Sequence, residues 1–166
     1  MEPVEHHKRF EYCTTRLQYR QGRELKAVKV YSVATESKHL MVFGVPKVNL
    51  HANIKTKLQG FGKLLSCICV TSEMAKKMDL EAFTDVFAVH FERVEQARRA
   101  KRQLDAKQFF GGILHISYAP EIETPQELRE KFVQRRKEIG HRIQRNLAEQ
   151  PLKPKQTKEN EVGIPH

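Results

Sequence analysis

Histidines, cysteines and a large surplus of cations carry what chemistry this chain can offer. His90 and His115 sit in strand-like segments, and His6-His7 opens a basic stretch. A general base or a metal centre needs a third group at matching spacing, and neither histidine pair has one. There is no nucleophile–base pair, no GxxxxGK[ST] loop and no pair of carboxylates in an obvious cleft. His90 and His115 therefore read as surface or interfacial residues, and His6-His7 as part of an arm. Cys67-Ile-Cys69 is too close for a disulfide along one strand and lacks zinc spacing. With Cys13 the count is odd, which fits reduced core thiols of a cytosolic or nuclear protein. The expectation is a non-catalytic chain with no cofactor and no metal.

Charge points to a partner. The net charge is +10 with a sequence pI near 9.7, which favours a polyanion, nucleic acid first. Trp is absent, so base stacking falls to Phe, Tyr, His or Arg. No apolar run reaches bilayer length, and no signal-peptide core opens the chain. Arg20, Arg23, Lys26 and Lys29 gather before Tyr31, a cluster suited to phosphates. Gly22 lets the backbone turn among them.

The elements that must position these residues follow from periodicity. Thr84 to Phe91 alternates: Phe87, Val89 and Phe91 point one way, and Thr84, Val86, Ala88 and His90 the other. A strand apolar on both faces is central. Leu40 to Val45 is a first core strand, and Leu64 to Val70 and Ile113 to Ala119 are two more. Leu50, Ile54, Leu58 and Phe61 repeat at helical spacing, with Gly62 suited to the left-handed cap. Val94, Ala97, Ala100 and Leu104 mark a second helix. Thr71 to Ala82 reads as a polar connection. Either Phe109 or Phe110 plugs the core at the base of the loop before the last strand.

The order is β-α-β-β-α-β, an α+β ferredoxin-like fold. A four-stranded antiparallel sheet carries both helices on one face. Ahead lies a basic extension, residues 1–35, with a possible extra strand over Ala27 to Val33. The domain itself covers 36–120. Thr124-Pro-Gln-Glu127 is a capping box that opens a long helix within 121–150. Residues 151–166 have the composition of a disordered tail.

This layout is similar to the RNA-recognition motif (RRM) over about residues 38–120. Leu40-Met-Val-Phe-Gly-Val45 stands where that family has its first signature, and Thr84 to Phe91 where it has its second. Only the inward residues match. The usual basic residue is Thr84, the usual Gly is Asp85, and the two stacking aromatics are Val86 and Ala88. Tyr19-Arg-Gln-Gly-Arg23, Ala27-Val-Lys-Val-Tyr31, Gln108-Phe-Phe-Gly-Gly-Ile-Leu-His115 and Tyr118-Ala-Pro-Glu121 resemble the RNA-binding protein 48 family. That resemblance implies a nuclear splicing factor of the minor (U12-type) spliceosome. It also implies an armadillo-repeat partner and a place near the 5′ end of a U6-type small nuclear RNA.

Two function classes remain open: an RNA-contacting spliceosomal adaptor, and an RRM-like protein-interaction module with little direct RNA contact. The candidate RNA contacts are Arg20, Arg23, Lys26, Lys29, Tyr31, Met41, Phe43, His90 and His115. The candidate partner contacts are the stripe Leu128, Phe132, Ile139 and Ile143. The open sheet face, being largely apolar, calls for cover by the helix after Thr124 or by a partner.

If the arm grips phosphate, counterion release makes affinity fall with salt by about 0.7 per phosphate neutralised on a single strand. Replacing Arg20, Arg23 and Lys26 with Ala should weaken binding to a short U-rich RNA. It should also flatten the salt slope by about two units. Replacing Arg98, Arg99 and Arg102 should do less. Fluorescence anisotropy at several salt concentrations measures both.

Overall fold

The computed structural model of the chain describes residues 5–9 and 31–149. Four strands form the main sheet: β1 (His39–Pro46), β2 (Leu64–Cys69), β3 (Thr84–Phe91) and, closing the chain order, β6 (His115–Tyr118). A two-stranded hairpin, β4 (Gln108–Phe109) and β5 (Gly112–Ile113), precedes β6. The helices are α1 (His51–Gln59), the single turn α2 (Thr71–Met74), α3 (Val94–Leu104) and α4 (Pro125–Glu149). The sheet order is β2-β3-β1-β6, with β1 and β3 central and antiparallel. This is the RRM topology expected from the alternation of strand and helix signals.

The register explains the core. Val42 pairs with Phe87 and Leu40 with Val89, so these side chains share one face. They pack with Phe91, Leu114 and Ile116 against Ile54 and Leu58 of α1 and Ala97, Ala100 and Leu104 of α3. Phe109 is the loop's core plug, whereas Phe110 is exposed. At Gly44 the pairing of β1 with β3 slips, and φ is +77°. A Cβ there would lie 2.2 Å from the carbonyl oxygen of Ile113, so β5 can cross at this point only over a glycine. Gly62 is not the left-handed cap that its position after Phe61 suggests. α1 ends at Gly60 in right-handed geometry, and Gly62 has φ 153°.

The second sheet face is covered, and by an unexpected segment. Met41, Phe43, Val86 and Ala119 form a second buried cluster with Met74, joined by Val70, Met78 and Leu80. The connection between β2 and β3, which the sequence paints as polar, lays its few apolar side chains over the sheet. The expected alternation of faces holds: Met41 pairs with Ala88 on the covered side. Cys67 packs against the main core, and burial pushes its thiol pKa up. Cys69, expected to point inward too, is exposed.

The capping box is present. Thr124 N–H donates to Glu127 Oε2 at 2.9 Å, and Glu127 N–H donates to Thr124 Oγ1 at 3.2 Å. The chain divides into two units, Met1–Leu128 and Arg129–His166. In the second, Phe132, Ile139 and Ile143 recur at helical spacing and are about half exposed, while Arg135 pairs with Glu138 at 3.2 Å.

Because Val86 is buried, the family's missing aromatics cannot be restored without displacing the cover. Val86→Phe with Ala88→Phe should overpack this cluster and cost about 1–3 kcal/mol in urea denaturation. An equally stable variant that binds RNA more tightly would mean that the face opens freely.

Candidate nucleic-acid interface

Among the described residues Phe43 is the one aromatic carbocycle of the covered cluster, and its surroundings define the site. A 3-10 turn, Glu5–His7, docks beside it. The His7 and His115 rings lie 5.8 and 5.7 Å from the Phe43 ring, both tilted. Beyond Phe43 opens a groove of about 350 Å³. Lys8, Arg9, Gly44, Leu80, Glu81 and His115 are among the residues that line it. Two cations next to an aromatic floor suit a nucleotide phosphate and sugar, while Asp79 and Glu81 limit how many phosphates can sit there.

The turn is held by a buried polar chain. His7 Nε2 donates to Glu121 Oε1 at 2.6 Å, and His7 Nδ1 meets Ser117 Oγ at 2.5 Å. His6 reaches the same carboxylate at 3.1 Å. His115 Nε2 donates to the His7 carbonyl at 3.0 Å, and its Nδ1 stands 3.5 Å from Asp105 Oδ1. Asp105 also accepts the Ile116 N–H at 2.9 Å and pairs with Lys101 at 2.8 Å. Lys101 is itself buried; it donates to the Ile116 carbonyl and lies 5.3 Å from the Tyr31 ring. Burial would raise the Asp105 pKa, but His115, Lys101 and the Ile116 amide outweigh it and hold the carboxyl at about 2. For Glu121, too, burial opposes ionisation, but the hydrogen bond from His7, a backbone hydrogen bond and the charges of His7 and His6 together outweigh it, leaving the pKa lowered.

Six close relatives share one name, and the alignments span most of this chain. RNA-binding protein 48 of Danio rerio is 39% identical over 138 residues, covering 81% of this chain and 36% of that protein. The Homo sapiens protein of the same name is 38% identical over 132 residues, covering 80% and 35%. Over these residues the chain belongs to the RNA-binding protein 48 family. It spans little more than a third of the length of those relatives. No family model matches the chain. The RRM of Rna15, solved with bound RNA (GU), superposes with a TM-score of 0.42 at 14% identity, covering 54% of this chain and 89% of that one.

Within this chain the candidate residues fall into separate places. Arg20, Arg23, Lys26 and Lys29, with most of the expected extra strand, lie outside the described residues. Tyr31 packs edge-on to Tyr118, 5.1 Å between centroids, in the main core and away from the groove. Met41 is buried under the β2–β3 connection, and Phe43 and His115 are buried and line the groove. A base cannot stack on Met41 in this arrangement, because methionines of the chain itself already occupy that face.

His90 and His115 are kept apart by β1, as the strand order requires, and each has other company. His90 stacks on His39 at 3.9 Å near Glu127. The stripe Leu128, Phe132, Ile139 and Ile143 is exposed to different degrees, least at Leu128. Sequence reasoning missed Lys8 and Arg9, which look like ordinary arm residues, and Phe83. Phe83 is 89% exposed with φ 59°, a left-handed value unusual for a bulky side chain. A lone Phe in a polar connection gave no sign of being displayed.

The lowered pKa of Asp105 makes a pH prediction. A carboxyl held near 2 against an ordinary 3.8 contributes stability above about pH 4, and loses it as pH falls toward about 2. Asp105→Asn should cost about 2 kcal/mol at neutral pH. The deficit should shrink across that acid window in urea titrations. A deficit independent of pH would assign Asp105 a packing role alone.

Proposed function

We infer that this chain is a non-catalytic RNA-binding adaptor of pre-mRNA splicing that grips RNA by cations at the edge of a closed sheet. Kinship with proteins named RNA-binding protein 48, at 39% identity over 138 residues, carries the reading. Stacking contributes about 1–3 kcal/mol per base on an open platform. With Met41 and Val86 covered, that source is removed. Phosphate contact is the largest remaining term, supplied by the basic segment 20–29 and by Lys8 and Arg9 at the groove.

The finer reading follows the family resemblance. The protein is a nuclear factor of the minor (U12-type) spliceosome, acting with an armadillo-repeat partner near the 5′ end of a U6-type small nuclear RNA. The half-exposed stripe Phe132, Ile139 and Ile143 supports such a partner. Armadillo arrays offer extended concave surfaces suited to a long amphipathic helix. The covered sheet face favours a second reading, a protein-interaction module with little direct RNA contact.

One pair of measurements separates the two. Phe132→Asp with Ile139→Asp should abolish co-purification of the armadillo-repeat protein. RNA binding by the same purified variant should stay at the wild-type, salt-dependent level. Retention of the partner would move the protein interface elsewhere. Absence of RNA binding by the wild-type chain even at low salt would leave the protein-interaction module standing.

A further inference from the structure

His39 opens β1, His90 lies opposite it on β3, and Glu127 occupies the first turn of α4. The strand register brings the two histidines together, with His39 paired to His90. Their rings stack at 3.9 Å and 23°. His39 Nε2 lies 3.5 Å from Glu127 Oε1, and His90 Nε2 lies 3.3 Å from the same oxygen. Both Nε2 atoms are buried, and neither makes a hydrogen bond. Buried polar nitrogens are normally satisfied, so two orphans converging on one carboxylate oxygen call for a reason.

A tetrahedral zinc ion supplies one. With zinc–nitrogen and zinc–oxygen distances of about 2.0–2.2 Å, ligand atoms around it stand about 3.3 Å apart. The two measured separations, 3.3 and 3.5 Å, lie close to that value. The geometry points to a divalent transition-metal site, zinc by preference, with His39, His90 and Glu127 as three protein ligands and water in the fourth position. Imidazole nitrogens with one carboxylate suit zinc, copper or nickel rather than magnesium or calcium.

The carboxylate is already oriented for this role. Glu127 Oε2 is occupied by the Thr124 N–H at 2.9 Å and the Thr124 hydroxyl at 3.0 Å, which leaves Oε1 to face the histidines. Outer hydrogen bonds of this kind fix ligand direction in metal centres.

The other histidine cluster shows the contrast. His6, His7 and Glu121 also converge, but His7 has a partner at each of its ring nitrogens, Ser117 and Glu121. That cluster is a closed hydrogen-bond network. At His39 and His90 the buried Nε2 atoms have no hydrogen-bond partner. A bound ion would join β1 and β3 to the start of α4, making it a structural clip.

The test uses the full chain without a purification tag, stripped of metal and titrated with Co²⁺, then with Zn²⁺. One equivalent of Co²⁺ should bind with the visible absorption of a tetrahedral nitrogen and oxygen site, and Zn²⁺ should displace it. Zinc should also raise the melting temperature. Glu127→Gln keeps a capping oxygen, and should lose both the spectrum and the thermal shift while staying folded. Thr124→Ala should weaken metal affinity by about 10–100-fold. His6→Gln should change neither readout. No stoichiometric binding, or binding kept in Glu127→Gln and lost in His6→Gln, overturns the assignment.

Discussion

The structure depends on burial of the sheet's second face. An RRM-like sheet with Val86 and Ala88 in place of two aromatic rings carries no stacking platform. It still carries apolar surface on Met41, Phe43 and Val86, and water will not be left against a patch of that kind. Met74, Met78 and Leu80 cover it from the β2–β3 connection. Once they do, the connection is no longer a free loop, and the groove beside Phe43 is what remains open. On the proposed reading, the functional consequence is a shift from base stacking to phosphate gripping.

The polar side of the same design is costly to break. Lys101 and Asp105 are largely buried, and a buried charge is tolerated only when its partners are complete. Here they are: the Ile116 amide and carbonyl, His115 and each other. His115 in turn fixes the His7 backbone, and His7 fixes Glu121 and Ser117. The chain of contacts runs from α3 through the sheet edge to the turn that carries Lys8 and Arg9. Cations at the groove are thus placed by a network that also bears on stability.

Much of the fold was legible because its signals are local. Period-two alternation marked Thr84 to Phe91, helical spacing marked Val94 to Leu104, and Thr124 with Glu127 marked the start of α4. The candidate site was less legible. Met74, Met78 and Leu80 are scattered among lysines and acids in a segment whose one helical turn is too short to show a period. His7 is buried by contacts more than a hundred residues away in sequence, and nothing in His6-His7 announces that. His39 and His90 share a site through strand register, which a list of histidines cannot supply. Gly62 suited a left-handed cap by its position, and the chain turned at Gly60 instead.

The central claim is that RNA meets the cationic rim and not the sheet. Ultraviolet crosslinking of the purified chain to a short U-rich RNA, with the attachment sites mapped by mass spectrometry, tests it most directly. Crosslinks should fall at Lys8, Arg9 and the basic segment 20–29. Crosslinks concentrated at Met41, Val86 and Ala88, with Met74 and Met78 displaced, would contradict it.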